Sequence, residues 1–287
     1  MKEQIYILKK QDSFDIKHIF ECGQCFRWNK QEDGSYTGVF NNNVLNVKKE
    51  NNDIIFKGIC NNIEETVYNY FDLQTDYEDI KHTLSKVDND LKKSIEYGSG
   101  IRILNQDLWE TIISFVISAN NNIPRIKKII EKISLNYGNE IIWNNQKFYT
   151  FPTPEELSKA SLEDLRNMGL GFRDKYIYEI TKKVVSKEFC IENLRKIDDV
   201  EKLRQELMHL PGVGEKVADC VMLFSDLKRV EVFPIDVWVR RVMNDLYIKN
   251  EDEKKVDKKQ IRDLAQQKYK NLAGIAQQYL FYWKREA

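Results

Sequence analysis

Apolar and polar positions change period part-way along the chain. YTGVF (36–40), VLNVKK (44–49) and IIFKGI (54–59) are short β-branched or aromatic runs separated by NNN and ENND. Turn-rich breaks at hairpin spacing predict an antiparallel meander. The pattern stops near IEETVYNYFDLQ, and from about residue 88 the apolar residues recur at helical spacing. NQDLWETIISFVIS places positions 108, 109, 112, 115 and 116 on one face, and IPRIKKIIEKISLNY repeats this at 123, 126, 129, 130 and 133. FPTPEELSKASLEDLRNMGLG offers two helix starts, with Thr153-Pro154 and Ser161 as caps, and a stop at Gly169 and Gly171. VEKLRQELMHL and EKVADCVMLFSDL flank a PGVG turn, and a last helix covers LAGIAQQYLFYWKRE. The expected fold class is α+β: an N-terminal antiparallel β-sheet domain over 1–88, then an all-α helical region over 89–287. Two helices form a tight hairpin at 201–225 within that region.

At 287 residues, with 42% hydrophobic and 31% charged residues, the chain has the composition of a globular protein with a sizeable core. No apolar run approaches the roughly 18–20 residues that cross a membrane, and MKEQIYILKKQDSF lacks the apolar stretch of a secretory signal. A cytoplasmic protein is expected. Net charge is zero, but residues 1–90 carry 11 Lys and Arg against 16 Asp and Glu, and the remainder 34 against 29. A polyanion, if one binds, therefore belongs on the later two thirds. Cys22 and Cys25 form a C-x-x-C, the other cysteines being Cys60, Cys190 and Cys220. No second ligand pair follows to make a zinc site, and no four-cysteine cluster could hold an iron–sulfur centre. The pair is expected to be packed or idle thiols.

Candidate chemistry centres on LPGVGEKVADC (210–220). Gly212 and Gly214 permit positive φ and close backbone approach. The first amides of the following helix point outward and suit a phosphate. Lys216 then sits in the first turn, where the helix dipole is already positive, an unfavourable placement that invites a functional reading. The bland alternatives are a packing turn and a solvated lysine.

The segment resembles the helix–hairpin–helix motif of DNA-repair glycosylases. Twenty residues on, VFPIDVWVRR supplies Pro234 and Asp236 where that superfamily has a Gly/Pro-rich loop and an aspartate. Lysine in the hairpin plus aspartate beyond it looks like the bifunctional members. Cutting a base from deoxyribose builds positive charge on the sugar, which a carboxylate such as Asp236 stabilises. A primary amine attacks C1′ and forms a Schiff base, which hydroxyls and carboxylates cannot do.

Three further stretches resemble the 8-oxoguanine DNA glycosylases with an N-terminal sheet domain. In CGQCFRW, Gly23 corresponds to the glycine whose carbonyl accepts the N7–H that oxidised guanine has and guanine lacks; alternatively the stretch opens a strand with two core aromatics. In AQQYLFYW, Gln277 and Phe281 correspond to the pair that reads the base edge and stacks on its plane. Cys220, one turn after Lys216, would form the other wall, unless it is simply buried. In SANNNIPRI and GLGFRDKY, Asn120 and Phe172 would fill the vacated duplex space, and Arg125 and Arg173 would contact the orphaned cytosine. Phe172 stands where tyrosine is frequent, and Trp238 where a phosphate-contacting histidine is frequent.

The resemblance spans roughly residues 5–284. It implies a monomer acting on double-stranded DNA that contains oxidised guanine, and association with the nucleoid through that DNA. No catalytic metal or other cofactor is expected. The hairpin could hold a structural monovalent cation on the backbone carbonyls of Met208, Leu210 and Val213. Two alternatives stay open: a superfamily glycosylase for another damaged base, and a non-catalytic DNA-binding module.

Overall fold

The computed structural model describes residues 2–286. Five antiparallel strands form the first sheet: β1 (Lys2–Leu8), β2 (Trp28–Lys30), β3 (Tyr36–Phe40), β4 (Asn43–Glu50) and β5 (Asp53–Cys60). Their spatial order is β1-β5-β4-β3-β2, so the chain start closes one edge against β5. The β3–β4 link is Asn41-Asn42, both at positive φ (45° and 62°). That backbone is the two-residue turn whose twist matches the strands, and asparagine tolerates it better than most residues. One sheet face packs Trp28, Tyr36, Leu45, Val47 and Phe56 against Phe14, Phe20 and Phe71 from flanking segments and helices. Phe20 stacks on Trp28 at 4.2 Å.

The meander occupies the positions its alternation predicts, each later strand one residue longer at its ends. β1 and β2 extend it. The helical region is more than helical: β6 (Glu140–Trp143) and β7 (Gln146–Tyr149) form a hairpin across Asn144-Asn145, again both at positive φ. Ile141 and Trp143 cover Val39 and Val44 on the back of the first sheet, and the Trp143 indole donates to Glu3 on β1 (2.8 Å). The hairpin thus belts the sheet to the helices.

The larger core gathers the helices Leu108–Ser118, Ile123–Tyr137, Arg173–Val185, Val200–Met208, Glu215–Phe224 and Ala273–Glu286. Thr153 and Ser161 both close capping boxes, with Glu156 and Asp164. Arg102 fastens sheet to helices. Its guanidinium is fully buried and donates to the carbonyls of Ser13, Phe71, Asp72 and Thr75, while its face lies 4.2 Å over Tyr77. Four carbonyls satisfy a cation that burial would otherwise penalise heavily.

Candidate active site

The hairpin helices Val200–Met208 and Glu215–Phe224 are held together by Arg204, whose Nε donates to Asp219 Oδ1 at 2.7 Å. Both groups are almost fully buried, and burial pushes the Asp219 carboxyl up to about 6 against Arg204's opposite pull. The two glycines of the turn differ. Gly212 has φ +77°, whereas Gly214 is extended (φ −100°) and serves as N-cap of the second helix. A glycine cap has no side chain to accept from the first amides, so these stay available to an anion. Twelve helix starts elsewhere, from Asp15 to Asp257, use an Asp, Asn, Ser or Thr side chain.

Lys216 projects from this helix into a cleft of about 620 Å³. Asp236 enters the same cleft from the next helix, Val237–Met243, which it caps: Oδ1 accepts from Val239 N at 2.8 Å. The cap and the cleft are compatible, because a carboxylate has a second oxygen. Adjoining this cleft is a smaller, partly open cavity of about 60 Å³, bordered by Lys216 and Asp236 and also by Gly23, Cys220, Gln277 and Phe281. Six expected residues from four separate segments thus meet around one small volume. A cavity of ~150 Å³ holds a benzene ring, so a purine enters only if these walls part. Phe115 and Phe224, stacked at 5.5 Å, form the floor, and the Lys216 ammonium lies 5.4 Å from the Phe115 ring centre.

Gly23 has φ +90°, and Gln24 fixes the turn it makes. The Gln24 amide donates to the carbonyls of Ile19 (2.9 Å) and Arg102 (2.8 Å) and accepts from Leu104 N (2.9 Å). CGQCFRW also delivers its aromatics to the cores, Phe26 to the larger and Trp28 to the smaller. Cys22 and Cys25 are buried free thiols, Cys22 bonded to the carbonyl of Ile19. Burial pushes Cys22 and Cys220 each up to about 11, the latter despite nearby Lys216.

The remaining expected residues lie at or near the rim of the cleft. Asn120 lies at the cleft with φ +51°, and Phe172 is 58% exposed. Arg125 is exposed and spends one N–H on Gly169 O (3.0 Å). Arg173, expected as a contact to the orphaned base, is instead buried. It donates to the carbonyls of Ala119 (2.9 Å), Asn120 (2.8 Å) and Leu170 (3.2 Å), with Phe172 stacked 4.3 Å away. In this arrangement the guanidinium clamps the Asn120 loop. Trp238 is half-exposed at the cleft edge with Arg241 at 5.9 Å. Arg241, ion-paired with Glu253 at 2.9 Å, and Lys258 also line the cleft and were not anticipated. Arg241 lies three residues from Trp238 and so shares its helix face, a readable signal; Lys258 sits in no motif. Gln278, also unanticipated, borders the inner cavity.

A sheet domain on a helical body, with an amine and a carboxylate converging beside a helix–hairpin–helix turn, defines a DNA base-excision glycosylase fold. Residues 6–112 match the family model for the 8-oxoguanine DNA glycosylase N-terminal domain, and 113–271 match that for HhH-GPD superfamily base excision DNA repair proteins. The chain belongs to this HhH-GPD family. A probable N-glycosylase/DNA lyase of Methanothermobacter thermautotrophicus is 33% identical over 76% of this chain and 74% of its own length. The N-glycosylase/DNA lyase of Saccharomyces cerevisiae is 34% identical over 79% of this chain and 66% of its own. The crystal structure of Clostridium acetobutylicum 8-oxoguanine glycosylase/lyase with DNA containing cytosine opposite 8-oxoG is 40% identical, with TM-score 0.93, over 99% of this chain and 97% of that one.

Proposed function

We propose that this chain is a bifunctional glycosylase and abasic-site lyase that excises 8-oxoguanine from double-stranded DNA. The turn amides after Gly212 and Gly214 hold a phosphate, helped by Trp238. Asn120 and Phe172 occupy the gap left by the flipped nucleotide, and Arg125 meets the opposite base. The base lies between Cys220 and Phe281, with its N7–H on the Gly23 carbonyl and its other edge on Gln277. Asp236 stabilises positive charge on the sugar as the Lys216 nitrogen attacks C1′ and the glycosidic bond breaks, the base taking the electron pair. Opening of the C1′–O4′ bond leaves a Schiff base, and loss of a C2′ proton then expels the 3′ phosphate.

The observation that carries this reading is that Lys216 and Asp236 border both the outer cleft and the inner cavity. Every group named comes from one chain, so the reading requires only a monomer. Among the described residues no cluster of three or more His, Cys, Asp or Glu side chains is arranged to hold a metal. The hairpin carbonyls of Met208, Leu210 and Val213 suit a monovalent cation: Leu210 O spends one lone pair on Val213 N (3.1 Å) and keeps the other. Such a cation would add positive charge beneath the phosphate.

Borohydride trapping on duplex containing 8-oxoguanine tests the reading. A covalent adduct is expected with the natural chain and none with Lys216→Gln. Equal trapping by both would remove Lys216 from the reaction. Faster excision of thymine glycol or 3-methyladenine than of 8-oxoguanine would favour the other-base alternative.

A further inference from the structure

Gln278 neighbours Gln277 on the last helix and is 3% exposed, yet it borders the inner cavity. Its Nε2 donates to Gln277 Oε1 at 2.8 Å. Its own Oε1 is buried without a partner among the described residues. An orphaned buried acceptor costs stability, and Leu or Met would fill the same volume without that cost. The arrangement therefore calls for a functional reason.

The bond to Gln278 engages the Gln277 carbonyl oxygen, and the Gln277 amide N–H, on a residue that borders the cavity, is left as the uncommitted group. We propose that Gln278 is a positioning residue for base selection: it sets the orientation of the Gln277 amide, so that the pocket offers a hydrogen-bond donor to the base edge. A donor matches a purine carrying a 6-oxo acceptor and opposes one carrying a 6-amino donor. The pair would thus separate 8-oxoguanine from 8-oxoadenine, which share the N7–H and the 8-oxo group and so look alike to Gly23. This inference rests on the proposed 8-oxoguanine activity, and Gln278 acts through Gln277 rather than through the reacting atoms.

The test compares single-turnover excision of 8-oxoguanine and 8-oxoadenine from otherwise identical duplexes, alongside strand cleavage at a preformed abasic site. Gln278→Met frees the Gln277 amide, and the preference for 8-oxoguanine is expected to fall about three- to ten-fold, the value of one neutral hydrogen bond. Gln278→Glu accepts from Gln277 Nε2 and turns the carbonyl to the base, so the preference is expected to fall further or invert. Abasic-site cleavage, which needs no base in the pocket, is expected to be unchanged in both. An unaltered preference in both variants overturns the proposal, as does an equal loss of excision and abasic cleavage, the mark of a general packing defect. If the natural chain excises neither base, the failure belongs to the proposed function and not to Gln278.

Discussion

Replacing Gly212 with alanine isolates what the hairpin turn contributes, because Gly214 two residues away supplies an internal control. At φ +77° an alanine pays the left-handed penalty, about 1–2 kcal/mol. Its Cβ would also stand 2.5 Å from Cδ2 and 2.8 Å from Cγ of Tyr176, which must swing toward solvent or push the turn away. Overpacking of that kind costs about 1–3 kcal/mol, less where the neighbour is free to move, and Tyr176 is partly exposed. The expected sum is about 2–4 kcal/mol, a fall of about 3–7 °C in Tm for a chain of this length. Gly214 is extended, and a Cβ there meets nothing within 4 Å. Gly214→Ala should therefore cost less, about 0.5–1 kcal/mol because alanine is a poorer N-cap than glycine, yet weaken undamaged-duplex binding by placing a methyl group before the anion-binding amides. Thermal melts and DNA titrations at one fixed salt concentration separate the two effects. Equal melting temperatures for the two variants would refute the assignment of the strained position to Gly212.

Asp236→Asn keeps a good N-cap, so stability should change by under about 0.5 kcal/mol. Excision is expected to slow by about 10²-fold or more as the charge facing the sugar is lost; single-turnover rates beside melting curves decide. Arg173→Met removes the donors of three backbone carbonyls, about 1 kcal/mol each. Loss of about 3 kcal/mol is expected, with excision impaired similarly opposite all four bases. A defect confined to cytosine pairs would restore a direct contact to that base. Lys228 is partly buried beside Asp72 (3.0 Å), and its loss of solvent depresses its pKa from 10.5 to about 8. Below pH 8 both folded and unfolded forms carry this proton. Between pH 8 and 10.5 only the unfolded chain does, so the lysine's contribution to stability rises with pH, by up to about 3 kcal/mol. Denaturant titrations should show the natural chain gaining stability relative to Lys228→Met over that interval, and a constant difference would contradict the shift.

Legibility followed the length over which each signal is written. The meander and long helices carry runs of periodic apolar residues. Lys216 and Asp236 lie in short motifs whose residue types suit only a narrow chemistry. β6 and β7 are four residues each, and EIIWNNQKFY follows a long helix, so the alternation there is too brief to outweigh its context; its twin asparagines were the readable sign. Gly212 and Gly214 look equivalent in PGVG, and only backbone geometry assigns strain to one and a cap to the other. Arg173 reads as a surface arginine because nothing local discloses the three carbonyls that surround it. Gln278 sits beside an expected reader of the base, but which amide atom faces inward is a tertiary fact.

One wall of the inner cavity comes from Gly23 near the beginning of the polypeptide and another from Gln277 and Phe281 near its end, with Lys216 and Asp236 between. During synthesis the amine and the carboxylate leave the ribosome before the last helix does. The cavity is thus completed only when segments far apart along the chain have packed together.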